Sequence, residues 1–162
     1  MTPIDRSIVA SVTVLAFEFF AGIMIWSTAL GACGVPSVSV FSEIDPDAIL
    51  VSTCHHPAAL SLGDIEELTL QDVLAVVEQY PNALVTMVGG PPCTDVSLLK
   101  HDRQGAFGVC SRLRENFRQL VQPAREALGN RFVGLMECTV MDTQDRLTRF
   151  LAYVRSHTHT HI

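Results

Sequence analysis

Paired cysteines are missing from this chain, and basic residues are scarce in its first part. Its five cysteines are widely spaced, odd in number and include no C-x-x-C pair, which argues against a disulfide framework and a structural zinc site. Only Arg6 is basic up to Leu99, against eleven acidic residues, whereas ten basic and six acidic residues follow from Lys100 onward. The basic second part suits contact with phosphates, and solvated helix faces explain it equally well.

A long uninterrupted apolar run is also missing. Ile8 to Leu30 is rich in apolar residues, but Glu18 and Gly22 interrupt it, and a membrane span needs about 20 consecutive apolar residues. A signal peptide also fits poorly, because the amino-terminal region carries Asp5 beside Arg6 and no clear small-residue cleavage site follows. We expect a buried strand, a turn at Ala21-Gly22 and a helix near Trp26 to Leu30, with no membrane partner.

The remaining sequence alternates strand-like and helix-like segments, as in an α/β protein. With 162 residues, 48% of them hydrophobic, the chain suits one domain with a real core. We expect a core over residues 1–155 and a disordered His/Thr tail over 156–162. The predicted strands are Val38–Phe41, Val85–Val88 and Phe132–Met136, and the predicted helices are Leu68–Tyr80, Ser111–Leu128 and Thr143–Val154.

One stretch organises the rest: a strand that breaks into Gly89-Gly90-Pro91-Pro92 and then Cys93. Glycine allows a sharp turn and close approach to a ligand, and proline fixes its own φ, so Cys93 is presented on a rigid loop. If Asp95 caps a following helix, the helix amino terminus favours thiolate at Cys93. The alternative is a tight loop in which Cys93 is a small buried hydrophobe.

Acidic side chains follow several of the predicted strands. Glu43 comes 21 residues after Gly22, the distance at which nucleotide-binding units bring a carboxylate to a ribose hydroxyl. Asp64 follows a short strand-like segment, and Glu137 follows Phe132–Met136. Taken singly, each acid is explained as a helix amino-terminal charge or cap. Because parallel strands end at one shared edge, together they predict a ligand site there.

The order of these motifs resembles the first half of the catalytic domain of DNA (cytosine-5) methyltransferases, with spacing most similar to the animal de novo branch. The resemblance implies an α/β, Rossmann-like, S-adenosylmethionine-dependent core, mostly parallel, with helices on both faces and apparently truncated. It implies methyl transfer from S-adenosylmethionine to carbon 5 of cytosine in DNA. The segments that carry it are Phe19-Phe20-Ala21-Gly22, Leu30-Gly31, Ser42-Glu43-Ile44-Asp45, Gly63-Asp64-Ile65, Gly89 to Ser97, Arg112-Leu113 and Met136 to Val140.

The resemblance also implies roles for individual residues. Cys93 would attack carbon 6 of a flipped-out cytosine, Glu137 would hold its N3 and exocyclic amine, and Arg112 would fix the loop or the base. Glu43 would bind the ribose hydroxyls and Asp64 the adenine amine. The full cofactor set implied is Phe20, Ala21, Gly22, Glu43, Ile44, Asp64, Ile65 and Pro91.

The sequence departs from the family pattern at three places. The glycine-bearing loop after Gly22 reads Met24-Ile25-Trp26, which is bulkier and expected to burden cofactor binding. The usual Glu-Asn-Val reads Glu137-Cys138-Thr139, without the amide that supports the cysteine loop. The chain stops before the Arg-x-Arg motif, the target-recognition region and the final segment that packs beside the first strand.

Other functions stay open at this point. A catalytically inactive regulatory or scaffold module, a tRNA cytosine-5 methyltransferase and an unrelated cysteine hydrolase using His55, His56 or His101 all accommodate parts of the pattern. The expected partners are DNA and an oligomer with itself or another methyltransferase, with no metal. The expected location is nuclear in a eukaryote and cytoplasmic otherwise.

Overall fold

A computed structural model describes residues 13–92 and 109–137, which form an alternating series of strands and helices. In chain order the elements are β1 (Val14–Phe19), α1 (Ile25–Ala32), β2 (Ser37–Ser42), α2 (Pro46–His55), β3 (Leu60–Ser61), α3 (Leu70–Glu78), β4 (Leu84–Gly89), α4 (Val109–Leu128), a 3-10 turn (Gly129–Arg131) and β5 (Phe132–Met136).

The five strands form one sheet in the order β3-β2-β1-β4-β5, and every neighbouring pair is parallel. The central strand β1 is buried along its whole length, because helices cover both faces of the sheet. Leu15, Phe17 and Phe19 belong to the core on the side of α3 and α4, whereas Val14 and Ala16 face α1. The predicted fold class, a mostly parallel Rossmann-like sheet, is confirmed.

Local signals explain where two of the helices begin. Asp45 accepts hydrogen bonds from the backbone N–H groups of Asp47 and Ala48 at the start of α2, and Pro46 supplies the fixed φ that a first helical position favours. At α3, Thr69 and Asp72 form a reciprocal capping box. The hydrogen bond from the Thr69 hydroxyl lowers the pKa of the Asp72 carboxyl.

Replacing Thr69 by alanine is expected to lower the free energy of unfolding by about 1 kcal/mol, because the cap of α3 is lost. Urea denaturation followed by circular dichroism measures the change. Thr53→Ala is the matched control, since Thr53 bonds back to Ile49 and Leu50 within α2 and caps nothing. An equal effect of both substitutions would contradict the role of the capping box.

The structure agrees closely with the elements predicted from sequence. The strand–turn–helix predicted between Ile8 and Leu30 appears as β1, a turn and α1, and the predicted strand Phe132–Met136 has the same bounds as β5. Within the described part of the chain, no helix is both long and apolar enough to cross a membrane. The helix expected after Asp95, the helix Thr143–Val154 and the tail 156–162 lie outside the described residues.

Candidate functional site

The carboxyl ends of four strands meet at one edge of the sheet. Phe19 is in register with Ser42 on one side and Gly89 on the other, and Gly89 is in register with Met136. The residues that follow these strand ends therefore emerge side by side. They are Phe20, Glu43, Gly90 and Glu137, and Gly63-Asp64 follows the neighbouring β3.

The loop from β1 into α1 has an unusual backbone. Phe20, Gly22 and Met24 all have positive φ, at 54°, 52° and 58°. Side-chain-bearing residues rarely adopt this conformation, which costs on the order of 1–3 kcal/mol where it occurs. Met24 therefore adopts a backbone conformation that usually requires glycine, and contacts around the loop must stabilise this conformation.

Glu43 and Ser52 supply such contacts by holding Gly22 from both sides. Glu43 Oε2 accepts from the Gly22 N–H at 2.8 Å, and the buried Ser52 hydroxyl donates to the Gly22 carbonyl at 2.7 Å. Glu43 Oε1 also accepts from the N–H groups of Ile44 and Asp45. A carboxylate has about four acceptor sites, so these three bonds orient Glu43 and leave capacity for a ligand hydroxyl.

The loop after β3 lies beside this clamp. The Ser42 hydroxyl donates to the Gly63 carbonyl at 2.7 Å, and Asp64 Oδ1 accepts from the Glu66 N–H at 2.9 Å. Asp64 is partly exposed, whereas the Ile65 side chain is buried in the core. The side chain of Ile65 thus packs inward, and only its backbone is left to face a ligand.

Ile44 differs from Ile65, because its side chain is 67% exposed directly after Glu43. This large exposed apolar side chain, next to the partly exposed carboxylate of Glu43, offers an apolar surface for a ring. The predicted cofactor residues Glu43, Ile44 and Asp64 are therefore brought together by the ends of β2 and β3.

Glu137 lies against the start of the Gly-Gly-Pro-Pro loop. Its N–H donates to the Gly89 carbonyl at 2.9 Å, which extends the β4–β5 ladder by one step. A Cβ placed on Gly90 would come within 3.3 Å of Glu137 Oε2, so the missing side chain gives the carboxyl group room. Pro91 is buried, and Cys93 lies outside the described residues.

A cavity of about 390 Å³ opens at this edge between α1 and the ends of β1, β4 and β5. Its walls are mostly apolar, with two carboxyl groups among them, which suits a small-molecule or base-binding site. The lining residues are Glu18, Phe19, Phe20, Ala21, Ile25, Trp26, Ala29, Val88, Gly89, Gly90, Leu135 and Glu137.

Glu18 is a residue of this site that the sequence reasoning missed. It is 5% exposed in β1 and accepts from the Trp26 N–H, the Ser27 N–H and the Ser27 hydroxyl at the start of α1. No side chain within α1 caps that helix, and its first turn has no acid, so Glu18 acts as a long-range cap. The sequence does contain a signal for this role: a single acidic residue lies within an apolar strand, and the helix that follows starts without a capping residue of its own.

Met24 and Trp26, the bulky residues that depart from the family pattern, both make contacts within the folded protein. The Met24 side chain is fully buried, and the Trp26 indole N–H donates to the Thr86 hydroxyl at 2.9 Å. Met24 is therefore packed into the interior, whereas Trp26 forms part of the cavity wall.

Arg112 lies in the first part of α4 and forms an ion pair with Glu66 at 2.9 Å. Its side chain is 63% exposed, so the pair is weak, and Glu66 is two residues beyond Asp64. Arg112 thus contacts the loop after β3, and its predicted contact with the cysteine loop or the base stays a prediction.

Comparison with known proteins identifies the family. The model of the C-5 cytosine-specific DNA methylases matches residues 15–107, which is more than half of the chain and includes the Pro-Pro-Cys segment. The chain belongs to this family. Methylases of this kind are S-adenosylmethionine-dependent methyltransferases.

Two solved structures share the fold of this member of the C-5 cytosine methylase family. A DNA modification methyltransferase encoded within an E. coli prophage is 18% identical, with a TM-score of 0.60 over 90% of this chain. S. pombe Dnmt2 methyltransferase is 16% identical, with a TM-score of 0.54 over 87%. Spodoptera frugiperda DNMT2, in a triple mutant, is 25% identical over 59% of this chain and 25% of its own, with a TM-score of 0.41. The chain spans 38% and 40% of the first two structures.

The residues at this edge fit S-adenosylmethionine. Glu43 and Asp64 stand at adjacent strand ends as acceptors for hydroxyl and amine donors, and exposed Ile44 adds an apolar surface. The tightly turned loop from Phe20 to Met24 brings backbone close to the mouth of the cavity. The carboxylates at this edge are the kind of acceptor that the hydroxyl and amine groups of a nucleoside cofactor require.

Proposed function

We propose that this chain supplies the cofactor site and part of the base site of a DNA cytosine-5 methyltransferase. The observation that carries the proposal is the position of Glu137, whose N–H donates to the Gly89 carbonyl and whose Oε2 lies 3.3 Å from where a Cβ on Gly90 would stand. This position sets a carboxyl group beside the loop leading into Pro91-Pro92-Cys93. Family membership supports the same reaction type. The motif spacing supports a place in the animal de novo branch.

Cofactor binding would use the ends of the first three strands. Glu43 would accept from the ribose hydroxyls and Asp64 from the adenine amine, while Ile44 would pack against the adenine ring. Phe20, Ala21 and Gly22 would line the remainder, where Glu43 and Ser52 hold the backbone. Bound S-adenosylmethionine would supply an electrophilic methyl group.

The chemistry at the base would belong to Cys93 and Glu137. The Cys93 thiolate would add to carbon 6 of a flipped-out cytosine, forming a C–S bond and moving the C5–C6 electron pair to carbon 5. Glu137 would hold N3 and the exocyclic amine as negative charge develops on the ring. After carbon 5 takes the methyl group, its proton would pass to water, and the freed C–H electron pair would re-form the C5–C6 double bond as the C6–S bond breaks and Cys93 leaves as thiolate.

Binding of S-adenosylmethionine to the purified chain is the first test of this proposal. We expect isothermal titration calorimetry to show binding, and Glu43→Ala to weaken it about tenfold, since hydrogen bonds to a charged group contribute roughly 1.5–3 kcal/mol. Glu78→Ala is the charge-matched control, because exposed Glu78 ends α3 at the opposite edge of the sheet. Equal affinities for Glu43→Ala and Glu78→Ala would contradict the assigned role of Glu43.

The substrate is tested by transfer of a labelled methyl group to duplex DNA and, separately, to tRNA. Transfer to DNA that Cys93→Ser abolishes would support the proposed function. Transfer only to tRNA would identify the RNA enzyme instead. Cofactor binding without transfer to either nucleic acid would favour the regulatory module.

A further inference from the structure

Ser42 joins the two loops of the proposed cofactor site from beneath. It is the last residue of β2 and is 2% exposed. Its backbone carbonyl accepts from the Ala21 N–H at 3.2 Å, in the loop after β1. Its hydroxyl donates to the Gly63 carbonyl at 2.7 Å, in the loop after β3. One buried residue therefore contacts both loops.

The loop after β3 has few hydrogen bonds to β2. β3 is only two residues long, both of them exposed, and it pairs with β2 only at Val40–Leu60 and Phe41–Ser61. The Leu62 N–H extends this pairing to the Phe41 carbonyl at 2.8 Å. Beyond that point the Ser42 hydroxyl bonds the end of β2 to the Gly63 carbonyl, in the backbone that leads into Asp64. Because a two-residue strand with little buried surface is held weakly by itself, such a hydrogen bond helps to fix its position.

The backbone conformation of Gly63 makes the orientation of the peptide before Asp64 depend on the hydrogen bond from the Ser42 hydroxyl. The φ of Gly63 is +74°, in the left-handed region that glycine adopts readily, and its N–H donates to the Ser61 hydroxyl at 3.4 Å. The bond from the Ser42 hydroxyl to the Gly63 carbonyl is a second contact, and it orients the peptide that leads into Asp64. Asp64 is oriented locally by its bond from the Glu66 N–H. The Ser42 hydroxyl, together with the buried Ile65 side chain, sets where that local unit stands relative to Glu43.

We propose that Ser42 is a positioning residue that holds Asp64 at the distance from Glu43 that adenosine requires. Ser42 is too deeply buried to touch a ligand and does not line the cavity, so it acts through Gly63 and Asp64. The inference rests on the proposed function, because it assumes that Asp64 binds the adenine amine. Loss of the Ser42 hydroxyl is expected to impair recognition of that amine more than binding of the rest of the cofactor.

The test compares two probes, S-adenosylhomocysteine and its analogue lacking the adenine 6-amino group, by calorimetry. We expect the chain to prefer the amine-bearing probe about tenfold, as a hydrogen bond to a carboxylate predicts, and Ser42→Ala to reduce this preference to about threefold or less. Ser42→Cys fills the space of the serine side chain but offers only a weak donor. It is expected to reduce the preference for the amine-bearing probe to the same extent, and it serves as the test if Ser42→Ala folds poorly. Ser39→Ala is the matched control, since partly buried Ser39 lies on the same strand and makes no side-chain hydrogen bond within the described residues.

Asp64→Ala completes a double-mutant cycle. If Ser42 acts through Asp64, then Ser42→Ala added to Asp64→Ala lowers the preference no further. An equal loss of affinity for both probes in Ser42→Ala and Ser42→Cys would show a purely structural role and overturn the inference, while leaving the proposed function standing. Binding of both probes by the unaltered chain without preference would also overturn it. Failure of the unaltered chain to bind either probe would overturn the proposed function and this inference together.

Discussion

Replacing Glu18 by alanine is expected to lower the free energy of unfolding by about 3 kcal/mol, because three donors lose their acceptor inside the protein. Those donors are the N–H groups of Trp26 and Ser27 and the Ser27 hydroxyl, at 2.9, 2.9 and 2.5 Å from the carboxylate. Each unsatisfied buried donor costs roughly 1–3 kcal/mol, and partial access of water to the vacated space lowers the total. The favourable interaction of the carboxylate with the positive end of α1 is lost as well.

Urea denaturation of the Glu18 variants is read from the fluorescence of Trp26, the single tryptophan of the chain, which stands in α1 itself. Glu18→Gln is the matched variant: its amide oxygen keeps one acceptor, so a loss of only about 1 kcal/mol is expected. Should Glu18→Ala be no less stable than Glu18→Gln, the oxygen that glutamine keeps would have no part in holding α1, and the expected order of stabilities would be wrong.

The second large effect is expected at Gly89, where alanine should lower the free energy of unfolding by about 2 kcal/mol through overpacking. A Cβ at this position would stand 2.9 Å from two ring carbons of Phe117. Phe117 is 2% exposed, and its ring centroid lies 5.3 Å from that of Phe19 and 6.5 Å from that of Phe20. The ring therefore has little room to move, and displacing it pushes on the loop that begins at Phe20.

Gly31→Ala is the matched control for Gly89→Ala, since both add the same methyl group. Gly31 lies within α1, is exposed, and an added Cβ meets nothing within 4 Å. Alanine favours a helix over glycine by roughly 0.5–1 kcal/mol, so this variant is expected to be more stable than the parent chain. Chemical denaturation of both variants gives the comparison, and a change of the same sign in both would exclude overpacking at Gly89.

The elements of the fold could be predicted because their signals are local. Alternating apolar segments, the glycine turn at Gly22 and the helical spacing before Gly129 depend on residues a few positions apart. β5 was predicted with its observed bounds, and α4 with a start only two residues later than observed. The shared edge also followed, because parallel strands place their ends together whatever their side chains are.

The contacts that build the site could not be predicted in the same way. Glu18 interrupts an apolar run in the sequence, and its role as a cap becomes visible only when α1 is seen to begin over the end of β1. Arg112 pairs with Glu66, which lies far away in the chain, in the loop after β3. Such partners depend on the packing of whole elements, and a one-residue change in register would select different ones.

The sequence by itself determined the class of this protein: an alternating α/β chain whose glycine loop, strand-end acids and Pro-Pro-Cys segment follow the order of a cytosine-5 methylase. Tertiary structure alone decided how those residues are held. Glu43 and Ser52 clamp Gly22, Ser42 ties the loop after β1 to the loop after β3, and Gly90 leaves room for Glu137. The physical reason is that covalent order specifies which groups reach the edge of the sheet, whereas hydrogen bonds between distant segments fix their orientation only after the sheet has formed.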